Sequence, residues 1–235
     1  MDTFIKALQV LGPLVTVALA VFGLFVWYWQ LIAKRKFEIA EQAVTEWRRA
    51  NDGLTYVRNP WVKAGEGDSI KVDASFTGKA RENAERHRFT YERLGHVQDT
   101  FKDVRLTQIL VDLHISSQAA RTFDVLFRVR HLVQVDADAL IEDFSEQFAT
   151  PEQMLENQQR RNDYRRGIAE KRNKDGKPDP SDVYSRVLDE ASEVLESECR
   201  QILRPKTIVE FLFSRRTKPA IHEWSDEAKK LLGRR

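Results

Sequence analysis

The stretch Ala7–Ala33 contains no charged side chain, and this constrains the chain more than any other feature. Leu, Ile, Val and Phe dominate it, and each favours insertion at the centre of a membrane helix by about 0.3–0.6 kcal/mol. From Pro13 to Ala33 a helix is about 30 Å long, which matches the hydrocarbon core of a bilayer. The sequence therefore predicts one transmembrane helix. A cleaved signal peptide ending near Ala18–Ala20 is the alternative, but the apolar run continues well past that point.

The charges that flank the span predict its orientation. Lys34, Arg35 and Lys36 follow it directly, whereas only Lys6 and the amino terminus precede it, and Asp2 offsets them. Because basic flanks stay on the cytoplasmic side, we expect the N-terminus outside and the long C-terminal part in the cytoplasm. Residues 1–36 are thus a membrane anchor with a basic flank.

The composition of residues 37–235 favours an all-α cytoplasmic part, because glycine and proline are scarce in it. It carries 34 basic and 35 acidic side chains, since four of the 38 Lys and Arg residues and one of the 36 acids lie before it. This balance argues against nucleic acid as a partner. Cys199 is the one cysteine, which excludes an internal disulfide. No phosphate-binding glycine loop is evident, and we expect no cofactor.

Two patterns in the first helix are typical of helices that associate. Gly12, Thr16 and Ala20 recur at every fourth position, a spacing that lets two membrane helices approach closely. Beyond the span, a seam with spacings of three and four follows: Phe37, Ala40, Val44, Trp47, Asn51 and Leu54. It fits a short coiled coil, in which Asn51 would set the register of an oligomer, and it fits packing on the chain's own bundle equally.

Residues 37–149 are predicted to form a helical bundle that begins with the continuation of the membrane helix. We expect this helix to end near Gly53 or before Pro60. A loop should follow over residues 58–78, although Ile70–Phe76 alternates like a strand.

Three further helices complete the predicted bundle. The first runs from about residue 79 to 112, with Ile109, Leu110 and Leu113 broadening its apolar seam. A second is expected over residues 116–135, and a third contains Leu140, Ile141, Phe144 and Phe148.

Residues 150–204 are predicted to form a charged helical hairpin that projects from the bundle. Thr150 and Pro151 signal the start of an arginine-rich helix that includes Arg161 and Arg165. Ser181 is expected to cap an acidic helix that ends near Leu203. Opposite charge predicts that the two helices pack together, which would neutralise a basic run otherwise suited to nucleic acid or anionic lipid.

The remaining residues, 205–235, are predicted to close the bundle. Ile208–Phe213 and Trp224 supply the apolar side chains for a short helix that packs back on it.

Two clusters of possible metal ligands lack essential members. The turn from Lys171 to Asp182 has the spacing of an EF-hand loop, but Lys171 replaces its first acid, and we expect a plain turn. Glu92, His96 and Asp99 share one helical face without the further carboxylates of a di-metal bundle. We expect no bound metal.

The segment from Arg81 to His87 resembles the R-x(4-6)-H signature of HEPN ribonucleases. Members of that family are helical bundles that build a composite RNA-cutting site by dimerising. The resemblance implies catalytic roles for Arg81 and His87. It covers seven residues, and Glu82 follows the arginine where the family more often has a smaller or amide side chain.

These features predict a single-pass protein anchored in the lipid bilayer, whose helical head acts by contact and not by catalysis. The contact is with a second copy or with an unidentified cytoplasmic protein, and the tip of the hairpin is the expected surface. A membrane-anchored HEPN-like ribonuclease and an oligomer that perturbs the membrane are the alternatives.

The predicted anchor has a direct consequence for cell fractionation. The intact chain should sediment with membranes on ultracentrifugation, because no charge opposes insertion of the apolar stretch. Protease added outside sealed cells should leave the head undigested. Recovery of the intact chain in the supernatant would contradict the anchor, and digestion of the head would contradict the orientation.

Overall fold

The computed structural model describes residues 2–72, 74, 78–142, 151–171, 175, 178–204 and 222–233. Within these ranges the chain is all-helical and contains no strand. The helices are α1 (Asp2–Val57), α2 (Gly78–His96), α3 (Gln98–His114), α4 (Ser117–Glu142), α5 (Pro151–Ile168), α6 (Val183–Leu203) and α7 (Asp226–Gly233).

Helix α1 is one unbroken helix of 56 residues that continues through Pro13. Its N-terminal part is long and apolar enough to cross a membrane. From Gly12 to Glu38 its side chains are exposed or half-buried, and Ile39 is the first buried one among the residues described. The prediction that the apolar helix continues directly into the head is confirmed.

The main core forms where α1 packs against α3, α4 and α6. Ala40, Trp47 and Leu54 of the predicted seam are buried in this core, whereas Phe37 is exposed and Asn51 is half-buried. Most of the seam therefore packs on the chain's own bundle. A polar member at the edge is compatible with this packing, because Asn51 retains access to solvent.

Helices α1 and α3 lie antiparallel. Near one end of the pair, the Gln42 amide donates a hydrogen bond of 3.2 Å to the Thr107 hydroxyl. Near the other end, a Cβ atom built on Gly53 would lie 3.1 Å from Val97 Cγ1, so the glycine permits close approach. These two contacts set the register between the helices.

The long helix predicted over residues 79–112 is wrong in one respect, because it is interrupted at Val97. Helix α2 packs mainly against α4, whereas α3 packs mainly against α1. The break lies near the end of α1. The helix before the break packs on α4, and the helix after it packs on α1. Ile109 and Leu113, expected in the apolar seam, are exposed on the side of α3 that faces away from the core.

The two helices predicted over residues 116–135 and around Leu140 are instead one helix, α4, up to Glu142. The intervening sequence contains neither glycine nor proline, and Ala137 and Leu140 are buried. Tertiary packing therefore extends the helix. Phe144 and Phe148 lie outside the described residues.

The projecting hairpin predicted over residues 150–204 is not seen in the described part of the chain. Helix α6 packs against α1 and α4, and α5 packs against α4. The apolar face of α6 explains this, because its side chains enter the main core: Val187, Leu188, Ala191, Val194, Leu195 and Cys199. Asp182 caps α6 by accepting a hydrogen bond of 3.1 Å from the Ser185 amide, so the predicted cap at Ser181 is off by one residue.

A smaller second core lies beyond the end of α1. It contains Ala137, Leu140 and Ile168, with Tyr91 and Tyr164 packed at its edge. We call α2, α5 and the second half of α4 the distal tier, and the rest of the head the proximal tier. Helix α7 closes the proximal tier.

Helix α7 packs against α4 and α6, and Trp224 before it is buried in the main core. Trp224 therefore packs on the bundle, while the closing role of residues 205–235 as a whole stays a prediction. Ile208–Phe213 lies outside the described residues.

Two tryptophans test the assignment of the core. Trp47 is 1% exposed and Trp61 is 83% exposed. We expect Trp47→Ala to lower the free energy of unfolding by about 3–5 kcal/mol, because it leaves a cavity in the main core. Trp61→Ala is the matched control and should change it by less than about 0.5 kcal/mol. Thermal unfolding of the full chain in detergent measures both, and equal effects would contradict the fold.

Candidate functional site

Two buried arginines, Arg58 and Arg93, lie where α1 ends. The last carbonyl groups of a helix have no partner within it and need donors from elsewhere. Arg93 of α2 supplies such donors, since its Nη1 donates to the carbonyl oxygens of Tyr56 (3.2 Å) and Asn59 (2.5 Å). Its Nη2 donates to the carbonyl oxygen of Trp61 (2.6 Å). One guanidinium thus fixes both the end of α1 and the loop that follows.

The charge of Arg93 is balanced by Glu66 in a bidentate ion pair. Nε to Oε1 is 2.6 Å and Nη2 to Oε2 is 2.8 Å. The guanidinium also lies over the rings of Tyr56 and Phe89, at 5.0 and 4.8 Å from their centroids. The Arg93 hydrogen bond, together with one from the Lys63 amide, lowers the pKa of Glu66 from 4.5 to about 2. The pair is therefore fully ionised at neutral pH.

This network presents Trp61 to solvent from a fixed loop. The Trp61 amide donates to Asn59 Oδ1 (2.9 Å), and Pro60 restricts the backbone between them. The Lys63 amide donates to Glu66 Oε2 (3.0 Å). The indole nevertheless remains exposed beside the exposed Val62. We call residues 59–63 the Trp61 loop.

The second buried arginine, Arg58, joins α1 to α6 and to the end of α5. Its Nη2 lies 2.7 Å from Asp182 Oδ1, its Nη1 donates to the Ser185 hydroxyl (2.9 Å), and its Nε donates to the Gly167 carbonyl (3.0 Å). Burial opposes ionisation of Asp182, but the Arg58 charge and two backbone hydrogen bonds outweigh it and hold its pKa below the ordinary value. Asp182 is therefore a structural anion.

A third buried carboxyl, Asp136, lies beside this cluster. It accepts a hydrogen bond of 2.9 Å from the Tyr184 hydroxyl. Burial raises its pKa from 3.8 to about 6. This carboxyl has no neighbouring base or nucleophile in a described hydrogen bond, so we read it as part of the packing between α4 and α6.

Where the structure describes them, the residues considered as metal ligands are not brought together. Asp182 Oδ2 accepts from the Lys171 amide (2.9 Å), which closes the turn once compared with an EF-hand loop. Glu92 accepts from the Gly67 amide, and Asp99 pairs with Lys102 at 2.8 Å. Among the described residues no group of three such ligands converges.

The two residues of the HEPN-like signature lie in α2. Arg81 is exposed and its Nε is 3.1 Å from Glu85 Oε1, one turn away. His87 is half-buried, with its ring centroid 6.4 Å from that of Phe89. At 100° per residue the two side chains leave the helix about 120° apart. A catalytic role for them stays a prediction.

The residues proposed for association occupy separate surfaces. Gly12, Thr16 and Ala20 are exposed on α1, where the Thr16 hydroxyl donates to the Gly12 carbonyl (2.9 Å). On α5, Arg161 is half-buried and Arg165 is exposed. On α6, Glu196 pairs with Arg48 of α1 (2.7 Å).

An open cleft of about 590 Å³ lies beside the contact between α4 and α7. Arg121, Trp224 and Lys229 line it. Lys229 is engaged by Glu223 at 3.5 Å and Asp226 at 3.9 Å, so the cleft has little net positive charge to offer an anion.

Sequence reasoning missed the two buried arginines and the Trp61 loop. The sequence does contain one signal for this site, a glutamate between two glycines at Gly65–Gly67. In the structure both glycines adopt positive φ, 81° at Gly65 and 89° at Gly67. Such a turn aims the carboxylate at a fixed point. The partner on α2 lies 27 residues away and leaves no local pattern.

Comparisons with protein-family models, with curated proteins and with solved structures find no match to this chain. The geometry described above therefore carries the functional argument.

The Glu66–Arg93 pair predicts a specific dependence of stability on pH. Because the pKa of Glu66 is lowered in the fold, its contribution is fully present above about pH 4.5 and is lost as the pH falls towards about 2. Glu66→Gln should lower the free energy of unfolding at neutral pH by about 2 kcal/mol or more and flatten this acid limb.

Glu41→Gln is the matched control, since Glu41 is an exposed glutamate of α1. Urea unfolding of the full chain in detergent over this pH range separates the two variants. An unchanged acid limb in Glu66→Gln would show that the pair does not stabilise the fold.

Proposed function

We propose that this chain is a single-pass membrane-anchored protein whose cytoplasmic head binds another protein through the Trp61 loop. The observation that carries the proposal is an indole that is 83% exposed although the backbone on both sides is fixed by Arg93. Tryptophan is enriched among the residues that dominate binding energy at protein interfaces.

The rigidity of the loop supports a binding role. Ordering a flexible loop on binding costs free energy, and a loop that is already fixed avoids most of that cost. Here the ion pair with Glu66 and the bond from the Trp61 amide to Asn59 have ordered the loop beforehand. Arg93 donates to the carbonyl oxygens of Asn59 and Trp61, and these two hydrogen bonds hold the backbone that positions the indole.

The surroundings of the indole indicate the chemistry of the partner. Val62 extends the apolar surface, and Lys63 and Lys71 are exposed on the same loop region. We therefore infer a partner with an apolar pocket for the indole and carboxylates at its rim. Complementary rim charges mainly raise the rate and specificity of association.

The proposed anchor places this surface well away from the bilayer. In the proposed topology Lys34–Lys36 lies at the cytoplasmic interface. The 21 residues from Lys36 to Val57 then extend about 31 Å from it as continuous helix. A cytoplasmic protein can reach the Trp61 loop without contacting the membrane.

Action by contact also agrees with the state of the cysteine. Burial, with Glu198 and Glu196 adding to it, raises the pKa of Cys199 to about 12, so this residue is a core thiol and not a nucleophile.

Self-association through the span is the second candidate. Gly12, Thr16 and Ala20 are exposed, and a Cβ atom built on Gly12 meets no other atom within 4 Å. Because the Thr16 hydroxyl bonds within its own helix, this face stays smooth enough for close helix packing.

Photo-crosslinking tests the proposal in cells that produce the full chain. With p-benzoylphenylalanine replacing Trp61, we expect an adduct of one defined mass with another protein. The same probe replacing Leu155, an exposed apolar residue of α5, is the matched control and should give none. Lys63→Glu should weaken the Trp61 adduct, because it repels an acidic rim.

Two results would overturn this assignment. Equal adducts at positions 61 and 155 would mean that the loop has no special surface. An adduct with twice the mass of the chain would identify the partner as a second copy.

A further inference from the structure

Helix α3 has an apolar stripe on its outer side. Leu106, Ile109 and Leu113 are 66%, 52% and 72% exposed, and they follow one another at spacings of three and four. At 100° per residue the stripe lies about 170° from the centre of the buried side of α3. Phe101, Val104 and Val111 are among the residues on that buried side. The stripe is thus a continuous helix face outside the core.

The register between α1 and α3 gives the position of this stripe along α1. Gln42 is level with Thr107, and the two helices are antiparallel. Six residues along α3 lead to Leu113, and six residues back along α1 lead to Lys36, each a rise of about 9 Å. Leu113 therefore lies level with the basic flank of the span.

The buried core of the head begins directly after the basic residues Lys34–Lys36. Ile39 is 1% exposed, so burial begins three residues after Lys36, a rise of about 4.5 Å along the helix. The lower end of α3 is consequently close to any bilayer that α1 crosses.

We propose that the lower part of the stripe, Leu113 and Ile109, rests on the leaflet that faces the head, so that the head leans against the membrane. This inference depends on the proposed anchor. Membrane helices tilt by about 20° on average and by up to about 40°. Since α1 is unbroken, the head tilts with the span.

A tilt of α1 by about 20–30° is sufficient to bring Leu113 to the membrane interface. Packed helix axes are about 8–10 Å apart, which places the stripe roughly 13 Å from the axis of α1. Tilting towards α3 by 20–30° lowers Leu113 by about 4–7 Å, close to the depth of about 5–10 Å at which interfacial helices bury their apolar face. Ile109, one turn higher, then reaches the interface, and Leu106 remains just above it.

The bilayer fits this surface better than a second copy does. Stable dimers bury about 800 Å² per partner, more than three side chains provide. A tethered head needs far less, because the anchor already holds it at the membrane and raises the effective concentration of the contact. The stripe is also uneven in charge, with Lys102 and Arg105 above it and Asp112 beside Leu113, so apolar burial is its main contribution.

Depth-dependent fluorescence quenching tests the proposal. Single cysteines replace Leu106, Ile109 or Leu113 in the full chain and carry an environment-sensitive fluorophore. Cys199 does not interfere at neutral pH, because it is buried and its pKa is about 12. The chain is placed in phosphatidylcholine vesicles that contain nitroxide lipids labelled near the headgroup end of the acyl chain.

We expect several-fold stronger quenching at position 113 than at position 155, with position 109 intermediate and position 106 weakest of the three. Leu155→Cys on α5 is the matched control, because Leu155 is similarly exposed but belongs to the distal tier. The double variant Ile109→Glu/Leu113→Glu should abolish quenching at position 106, whereas Leu155→Glu should not.

Leu24→Cys reports on the anchor itself, in vesicles whose nitroxide lipids are labelled near the end of the acyl chain, because position 24 lies near the middle of the predicted span. If position 24 is quenched and position 113 is no more quenched than position 155, the leaning head is wrong and the anchor stands. If position 24 is not quenched, the anchor fails. Thiol cross-links between copies at position 113 without quenching would assign the stripe to a second copy and overturn the proposal.

Discussion

The ion pair between Arg93 and Glu66 holds together the region on which the rest of the head depends. Helix α1 is the longest described element, and its last carbonyl groups have no hydrogen-bond partner within the helix. A guanidinium offers five donors in a rigid fork, and here it serves three carbonyl oxygens and one carboxylate at once. A lysine in its place has three donors on one nitrogen and cannot reproduce the planar geometry.

The same junction explains why the head has two tiers. Beyond Val57 there is no α1 to pack against, so the second half of α4 packs against α5, and Tyr91 of α2 reaches the same small core. Arg58 ties this arrangement together, since its acceptors belong to the end of α5 and the start of α6. A polar layer of satisfied arginines therefore separates two apolar cores. Such layers specify register, because any shift leaves a buried charge without its partner.

Sequence patterns predicted the elements better than their arrangement. The continuous helix α1, the loop after it and the start of α5 at Pro151 follow from local signals: a charge-free run, Asn-Pro and a proline at the first helical position. The hairpin was predicted from net charge, yet the apolar face of α6 carries more free energy on burial than solvated charges do on pairing. Ile109 and Leu113 were assigned to a core because apolar residues on two sides of α3 resemble one broad seam. Only the position of α1 in the structure shows which of the two apolar sides of α3 faces the core.

The direct passage of α1 from its apolar part into the head makes the connection between the two stiff. Ile39 is buried almost immediately after Lys36, so no flexible linker separates the head from the apolar part of α1. In the proposed topology the Trp61 loop is held at one altitude, about 31 Å along a stiff helix. The proposed partner is then selected by its distance from the membrane as well as by its chemistry.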